Sequence, residues 1–256
     1  PITQSILTLC QSLLAAAPTT RILFTSRERL PAPFDAGAAY VALGALRRAE
    51  AVQLVERVMA NENWTPPASD AGDTPQAVAE LVEAVGCHAR ALVLLAREVA
   101  RQGVRATTAT LHQLMAGLEA KHPGQRANSL YASVELSLRR FGKLTSSQLP
   151  PEVREKVQGL AVFHGGGQLW VLQQVMELEE DDARAIAIAL IEVGLAEQMG
   201  YAYLRLDPAL PTYLLGSLPA AALERLRQRW GEAMIDLVGF LYKQRFKDAQ
   251  LAQQLT

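Results

Sequence analysis

The sequence predicts a mainly α-helical chain that closes its middle section with a short β-hairpin. Three observations point there. Apolar residues recur at helical spacing through most of the 256 residues. Residues 195–206, LAEQMGYAYLRL, read as two strand-like pieces around Met199-Gly200. Three helical segments precede that hairpin, which is the order of a winged helix, a variant of the helix-turn-helix.

The elements follow in order. Ile6, Leu9, Cys10, Leu13 and Leu14 share one helical face over residues 3–16, and Pro18 stops that helix. Arg21 to Thr25, RILFT, is a short apolar run rich in strand formers and predicts a buried strand. Pro31 and Pro33 mark a loop. Leu43 to Met59 predicts an amphipathic helix with Arg47, Arg48, Glu50 and Glu56 facing out. A polar loop holds Pro66 and Pro67. Thr74-Pro75 then opens a helix, with Thr at the cap and Pro at the first position, and Gly86 ends it. A strongly apolar helix spans about His88 to Arg101, and another runs from Thr107 to Leu118.

After Pro123-Gly124, residues 127–141 place Leu130, Val134, Leu138 and Phe141 on one side of a helix. Pro150-Pro151 opens the next, through Phe163, and Gly165-Gly166-Gly167 reads as a turn. Helices near 168–177 and 180–193 lead into the hairpin. Leu210 to Leu215 adds a short helix, and Ala220 to Gln254 is a long helical pattern.

Composition narrows the function classes. Half of the residues are hydrophobic and net charge is -1, which suits a well-buried core and argues against a generally basic nucleic-acid binder. Cys10 and Cys87 are the only cysteines, so a disulfide framework is not expected and a reducing cytoplasm is the default. No apolar run reaches the roughly 18 residues of a membrane span; the best stretch, Ala89 to Ala100, is broken by Arg90, Arg97 and Glu98. No signal peptide is recognisable, and the chain opens without Met on a helical pattern, so we expect a fragment of something longer.

Several local patterns stand in a fixed order. A strand ends in Thr25-Ser26-Arg27; a helix carries Leu46 and Glu50-Ala51; Gly86 precedes an apolar helix; a winged-helix-like segment holds Phe163 and a glycine turn; and a hairpin ends in Leu206-Asp207-Pro208. This order resembles the C-terminal half of the NB-ARC module of STAND ATPases, an AAA+-like group. The likeness is especially to the bacterial regulators with tetratricopeptide-type repeats, and it covers about residues 1–216. The resemblance implies four parts: residues 1–42 as a remnant of the nucleotide-binding α/β domain with one strand of its sheet, 43–125 as a small helical domain, 126–216 as the winged-helix domain, and 217–256 as the start of a helical repeat or sensor region.

The resemblance also implies site residues. Arg27 matches the sensor arginine. A guanidinium at the C-terminal end of a parallel strand points into the crevice where phosphates bind and can grip a terminal phosphate bidentately; the alternative is a surface arginine at a strand end. Gly86-Cys87-His88 matches a G-x-P segment that packs against adenine, with His88 in place of proline. His88 either stacks on the base or caps the helix that follows. Leu206-Asp207-Pro208 matches a Met-His-Asp-like triplet whose histidine reads the β-phosphate of ADP. Ionised Asp207 repels phosphate, and the local sequence fits Asp207 better as a helix cap before Pro208.

The chain lacks the G-x-x-x-x-G-K-[ST] loop that cradles phosphates and the Walker B strand that holds magnesium. The resemblance places both upstream, so this fragment is expected to have no catalytic residues and no ATPase activity. ATP or ADP belongs to the full-length parent, and the partners are the rest of its own chain and proteins met on activation, including other copies, with no membrane. The four histidines show no metal-ligand spacing, no G-x-S-x-G occurs, and the acidic run from Glu177 to Asp182 suits a helix start. The rival class is a winged-helix DNA-binding regulator. Its recognition helix would be DDARAIAIALIEV, residues 181–193, whose only basic residue is Arg184, which speaks against groove binding.

Overall fold

The computed structural model describes residues 2–26, 29–35, 40–62, 74–124, 127–143 and 149–244. The chain forms two units, with the division between Gly44 and Ala45.

The first unit holds α1 (Ile2–Ala16). Its apolar side chains find little cover: Leu7 is buried, but Ile6, Leu9 and Leu13 are half exposed. Phe24 and Phe34 meet edge to face at 5.0 Å. The strand expected at residues 21–25 is not formed, because residues 21–26 carry no regular structure. A parallel strand leaves its N–H and C=O groups unpaired unless another strand lies beside it. Among the described residues no segment forms a ladder with this one, and Leu23 is 91% exposed. The guanidinium of Arg21 donates instead to the nearby carbonyls of Thr19 and Thr20.

In the second unit, α2 (Arg48–Asn61), α3 (Thr74–Ala84), α4 (Ala89–Gln102) and α5 (Val104–Lys121) build one hydrophobic cluster. Residues 43–47, expected inside the first of these helices, carry no regular structure, and Leu43 is exposed. Ala51 and Val55 of α2, Leu81 of α3, Leu92 and Leu95 of α4 and Leu111 of α5 are fully buried. Each of the leucines contributes about 2 kcal/mol by leaving water. The α3–α4 connection reverses the chain with two residues of positive φ, Gly86 (59°) and Cys87 (55°). The Cys87 N–H closes on the Val82 carbonyl at 3.0 Å, and the Leu46 N–H donates to the Cys87 carbonyl at 3.1 Å.

The second cluster is built by α6 (Asn128–Arg140), α7 (Pro151–Glu155) with a 3-10 continuation to Val162, β1 (Gly166–Gln168), α8 (Leu169–Met176), α9 (Glu180–Glu192), β2 (Ala196–Gln198), β3 (Tyr203–Leu206), α10 (Ala209–Ser217) and α11 (Ala220–Gln244). Leu160, Phe163, Leu172, Ile186, Leu190, Leu195 and Leu206, with Leu94 from α4, are its largest buried side chains. Helix α6 is a wall shared by both clusters: Ala132 and Leu136 face the first, Val134 faces the second, and Leu130 borders both. Ala233 of α11 is buried in the second cluster. The positions after 244 in the long helical pattern lie outside the described residues.

The expected hairpin is present and belongs to a three-stranded antiparallel sheet of order β1-β3-β2. Ala196 pairs with Leu206 and Gln198 with Leu204 across the hairpin. The turn centres on Tyr201 and Ala202, both at positive φ, one step beyond the Met199-Gly200 pair. The glycine turn at 165–167 is instead mostly strand, with Gly166 opposite Arg205 and Gly167 opposite Leu204. Glycine permits this because the backbones approach so closely: at Gly166 (φ +142) an added Cβ would lie 2.2 Å from the Leu204 carbonyl oxygen. The order helix, strand, helix, helix, hairpin is that of a winged helix.

Gly166→Ala is therefore expected to destabilise the protein by at least about 2 kcal/mol. Gly200→Ala, which meets nothing within 4 Å, should stay within about 0.5 kcal/mol. Urea denaturation of the two variants checks both.

Candidate functional site at the seam of the two clusters

The polar groups that join the two clusters radiate from α4. This helix is apolar on the face buried in the first cluster, and it carries Arg90, Arg97 and Arg101 at intervals of seven and four residues. That spacing keeps the three on neighbouring strips of one side, and all three donate to the winged-helix segment.

Arg90, in the first turn of α4, uses Nε and Nη2 to hold Oδ2 of Asp207, 117 residues further along the chain. The Asp207 side chain is 0% exposed, whereas that of Arg90 is 39% exposed. The other carboxylate oxygen, Oδ1, accepts from the Ala209 N–H at 2.8 Å and caps the start of α10. The Asp207 N–H donates to the Leu195 carbonyl at 2.9 Å, which ties the residue to the start of β2 as well. A buried carboxylate is tolerated only when its charge and lone pairs are matched, and here both oxygens are occupied.

Arg97 and Arg101 reach the C-terminus of α9. Arg101 Nη2 donates to the Glu192 carbonyl at 2.8 Å, and Arg97 Nη1 to the Ile191 carbonyl at 3.4 Å. The last carbonyls of a helix have no partner within it and carry the negative end of its dipole, so cations suit this position. Gly194 makes room: a Cβ there would stand 2.7 Å from Arg97 Nη1. Two further contacts fasten α6. Glu98 of α4, nearly buried, pairs with Arg140 at 2.6 Å, and the Tyr213 hydroxyl of α10 donates to Glu135. Burial first, and then the bond to the Glu135 carboxylate, raises the Tyr213 phenol above its ordinary value of 10.0.

Among the residues expected to hold a nucleotide, Arg27 lies outside the described residues. Gly86 supplies the left-handed turn that ends α3, with open space around its Cα. His88 is the cap of α4, where its Nδ1 accepts from the Ala91 N–H at 3.4 Å. Asp207 caps α10 and is ion-paired. Arg90, two residues after His88, is the residue at this end of α4 that reaches Asp207. Arg90, Arg97 and Arg101 went unrecognised as site residues because in the sequence they only interrupt an apolar stretch. Their seven-and-four spacing on one helix was the available signal.

The rest of the surface offers less chemistry. No group of three His, Cys, Asp or Glu among the described residues could hold a metal ion, and no described helix is long and apolar enough to cross a membrane. An open depression of about 350 Å³ beside α6, α7 and α10 is lined by Lys143 and Arg154 but also by Glu135 and Glu155, so it presents no net sign. On α9, Arg184 pairs with Glu180 and the first turn carries Asp181 and Asp182. Comparison with models of known protein families gives no match, and comparison with curated proteins gives none either.

The raised Tyr213 phenol has a sign that can be measured. Folding favours its neutral form, so its contribution is complete below the unfolded value near 10 and is lost as pH climbs above it. Denaturation midpoints taken from pH 8 to 11 should fall more steeply in the native sequence than in Tyr213→Phe.

Proposed function

We propose that this chain is a regulatory and interaction piece of a STAND signalling ATPase of the NB-ARC kind, coupling nucleotide state to conformational switching. The observation that most supports this reading is the Arg90–Asp207 pair, which ties the helix that follows the Gly86–His88 segment to the Leu206-Asp207-Pro208 segment. These are two of the three stretches that the resemblance assigns to the nucleotide, and they lie more than a hundred residues apart in the chain. In this reading the helical and winged-helix clusters act as the lever, and a switch is a shift of population between two packings of that lever. The exposed apolar residues of the first unit, Ile6, Leu9, Leu13, Leu23, Val41 and Leu43, fit a surface that is covered by the rest of a nucleotide-binding domain. ATP or ADP is then a ligand of the parent protein. The partners are the remainder of its own chain and other proteins, and the setting is cytoplasmic.

The winged-helix order favours a second reading, a DNA-binding regulator. It fares worse on charge. Phosphate contacts supply most of the affinity for a duplex, yet α9 begins with three acidic residues and commits Arg184 to Glu180.

The full reading frame is expected to encode G-x-x-x-x-G-K-[ST] upstream of Pro1, and the purified 256-residue chain to turn over no ATP. A frame without that motif, or turnover by the pure chain that vanishes in Arg27→Ala, would contradict the proposal. A salt-dependent shift of random duplex DNA at micromolar protein would favour the second reading.

A further inference from the structure

We infer that the Arg90–Asp207 pair is an internal catch, which holds the winged-helix cluster against the helical cluster with no nucleotide at that position. The inference rests on the switch reading above and says what keeps that switch closed.

Three observations carry it. Asp207 has nothing left to offer a ligand: Oδ1 takes the Ala209 N–H, Oδ2 takes the Arg90 guanidinium, and the side chain is 0% exposed. An incoming phosphate would meet a carboxylate of its own sign. His88 is likewise engaged, with Nδ1 turned to the Ala91 N–H of its own helix. Asp207, one of the positions that the resemblance gives to the nucleotide, is thus closed from within the chain.

The pair also has the asymmetry of a catch. Arg90 is 39% exposed and Asp207 is not exposed at all, so only the Arg90 side can let go into water. Release leaves an ionised carboxylate beside Leu195, Leu206 and Leu210, all buried, and removing one partner of such a pair is strongly unfavourable. Arg97 and Arg101 grip neutral carbonyls at the same seam. Among the described residues, Arg90–Asp207 is therefore the one contact there between opposite formal charges that joins α4 to the start of α10. A nucleotide acts on this module through residues other than Asp207.

The test is a distance across the seam in the whole chain. Spin labels are placed at exposed positions on α5 and α11, through Gln113→Cys and Ala221→Cys, with Cys10 and Cys87 replaced by serine. Pulsed electron-spin measurements without nucleotide should give one narrow distance, unchanged by millimolar ADP with magnesium. Asp207→Asn keeps the Oδ1 cap and removes the charge. It should raise the open population by on the order of 100-fold and broaden the distribution towards longer distances. Arg90→Gln should do the same, and because Arg90 is partly exposed this variant decides the matter alone if Asp207→Asn does not fold. A broad distribution in the parent that ADP narrows, or an unchanged distribution in well-folded Arg90→Gln, overturns the catch. Either result leaves the switch reading standing, since that reading fails on a different observation, a reading frame with no phosphate loop.

Discussion

A carboxylate with no access to water sits at the junction of two hydrophobic clusters, and its match with a single arginine is the constraint around which this fold is arranged. Asp207 can be buried only because Arg90 meets its charge and the α10 backbone meets its second oxygen. Satisfying it places the first turn of α4 and the start of α10 at one point, and the Asp207 N–H adds Leu195, just before β2. Few geometries meet these conditions at once, and a buried carboxylate left without its arginine is costly, so the pair restricts how the clusters pack.

The rest of the seam follows from the same helix. Once the first turn of α4 is set against Asp207, residues seven and eleven positions on fall beside the C-terminus of α9, whose negative dipole end attracts cations. The opposite face of α4 remains apolar and fills the first cluster. One helix therefore serves as core on one side and as a charged clasp on the other. Helix α6 repeats the arrangement, dividing its apolar residues between the clusters and its charged ones, Glu135 and Arg140, between α10 and α4.

Much of this was legible in the sequence. Periodicity located the helices, and proline and glycine marked their breaks. Leu195 to Leu206 announced the hairpin, and Asp207-Pro208 announced a cap. Other features depended on partners far along the chain. RILFT has the composition of a strand, but a strand exists only beside another, and no described segment pairs with it. Three successive glycines signal a turn locally, yet Gly166 is a close-approach site, which becomes apparent only when Leu204 is known to lie opposite. The charged residues of α4 were visible, but nothing near them in sequence indicated acceptors a hundred residues away. Of the candidate site, the left-handed turn at Gly86 and the capping by His88 were readable from local chemistry, whereas the commitment of Asp207 to Arg90 was not.

The claim that this pair joins the clusters is tested most directly by a double-mutant cycle of Arg90→Ala and Asp207→Ala, measured by urea denaturation. If the two residues act as one interaction, the double variant should be little worse than either single, with a coupling energy above about 1.5 kcal/mol. Single effects that simply add, with a coupling below about 0.5 kcal/mol, would show that the clusters are held together by other means.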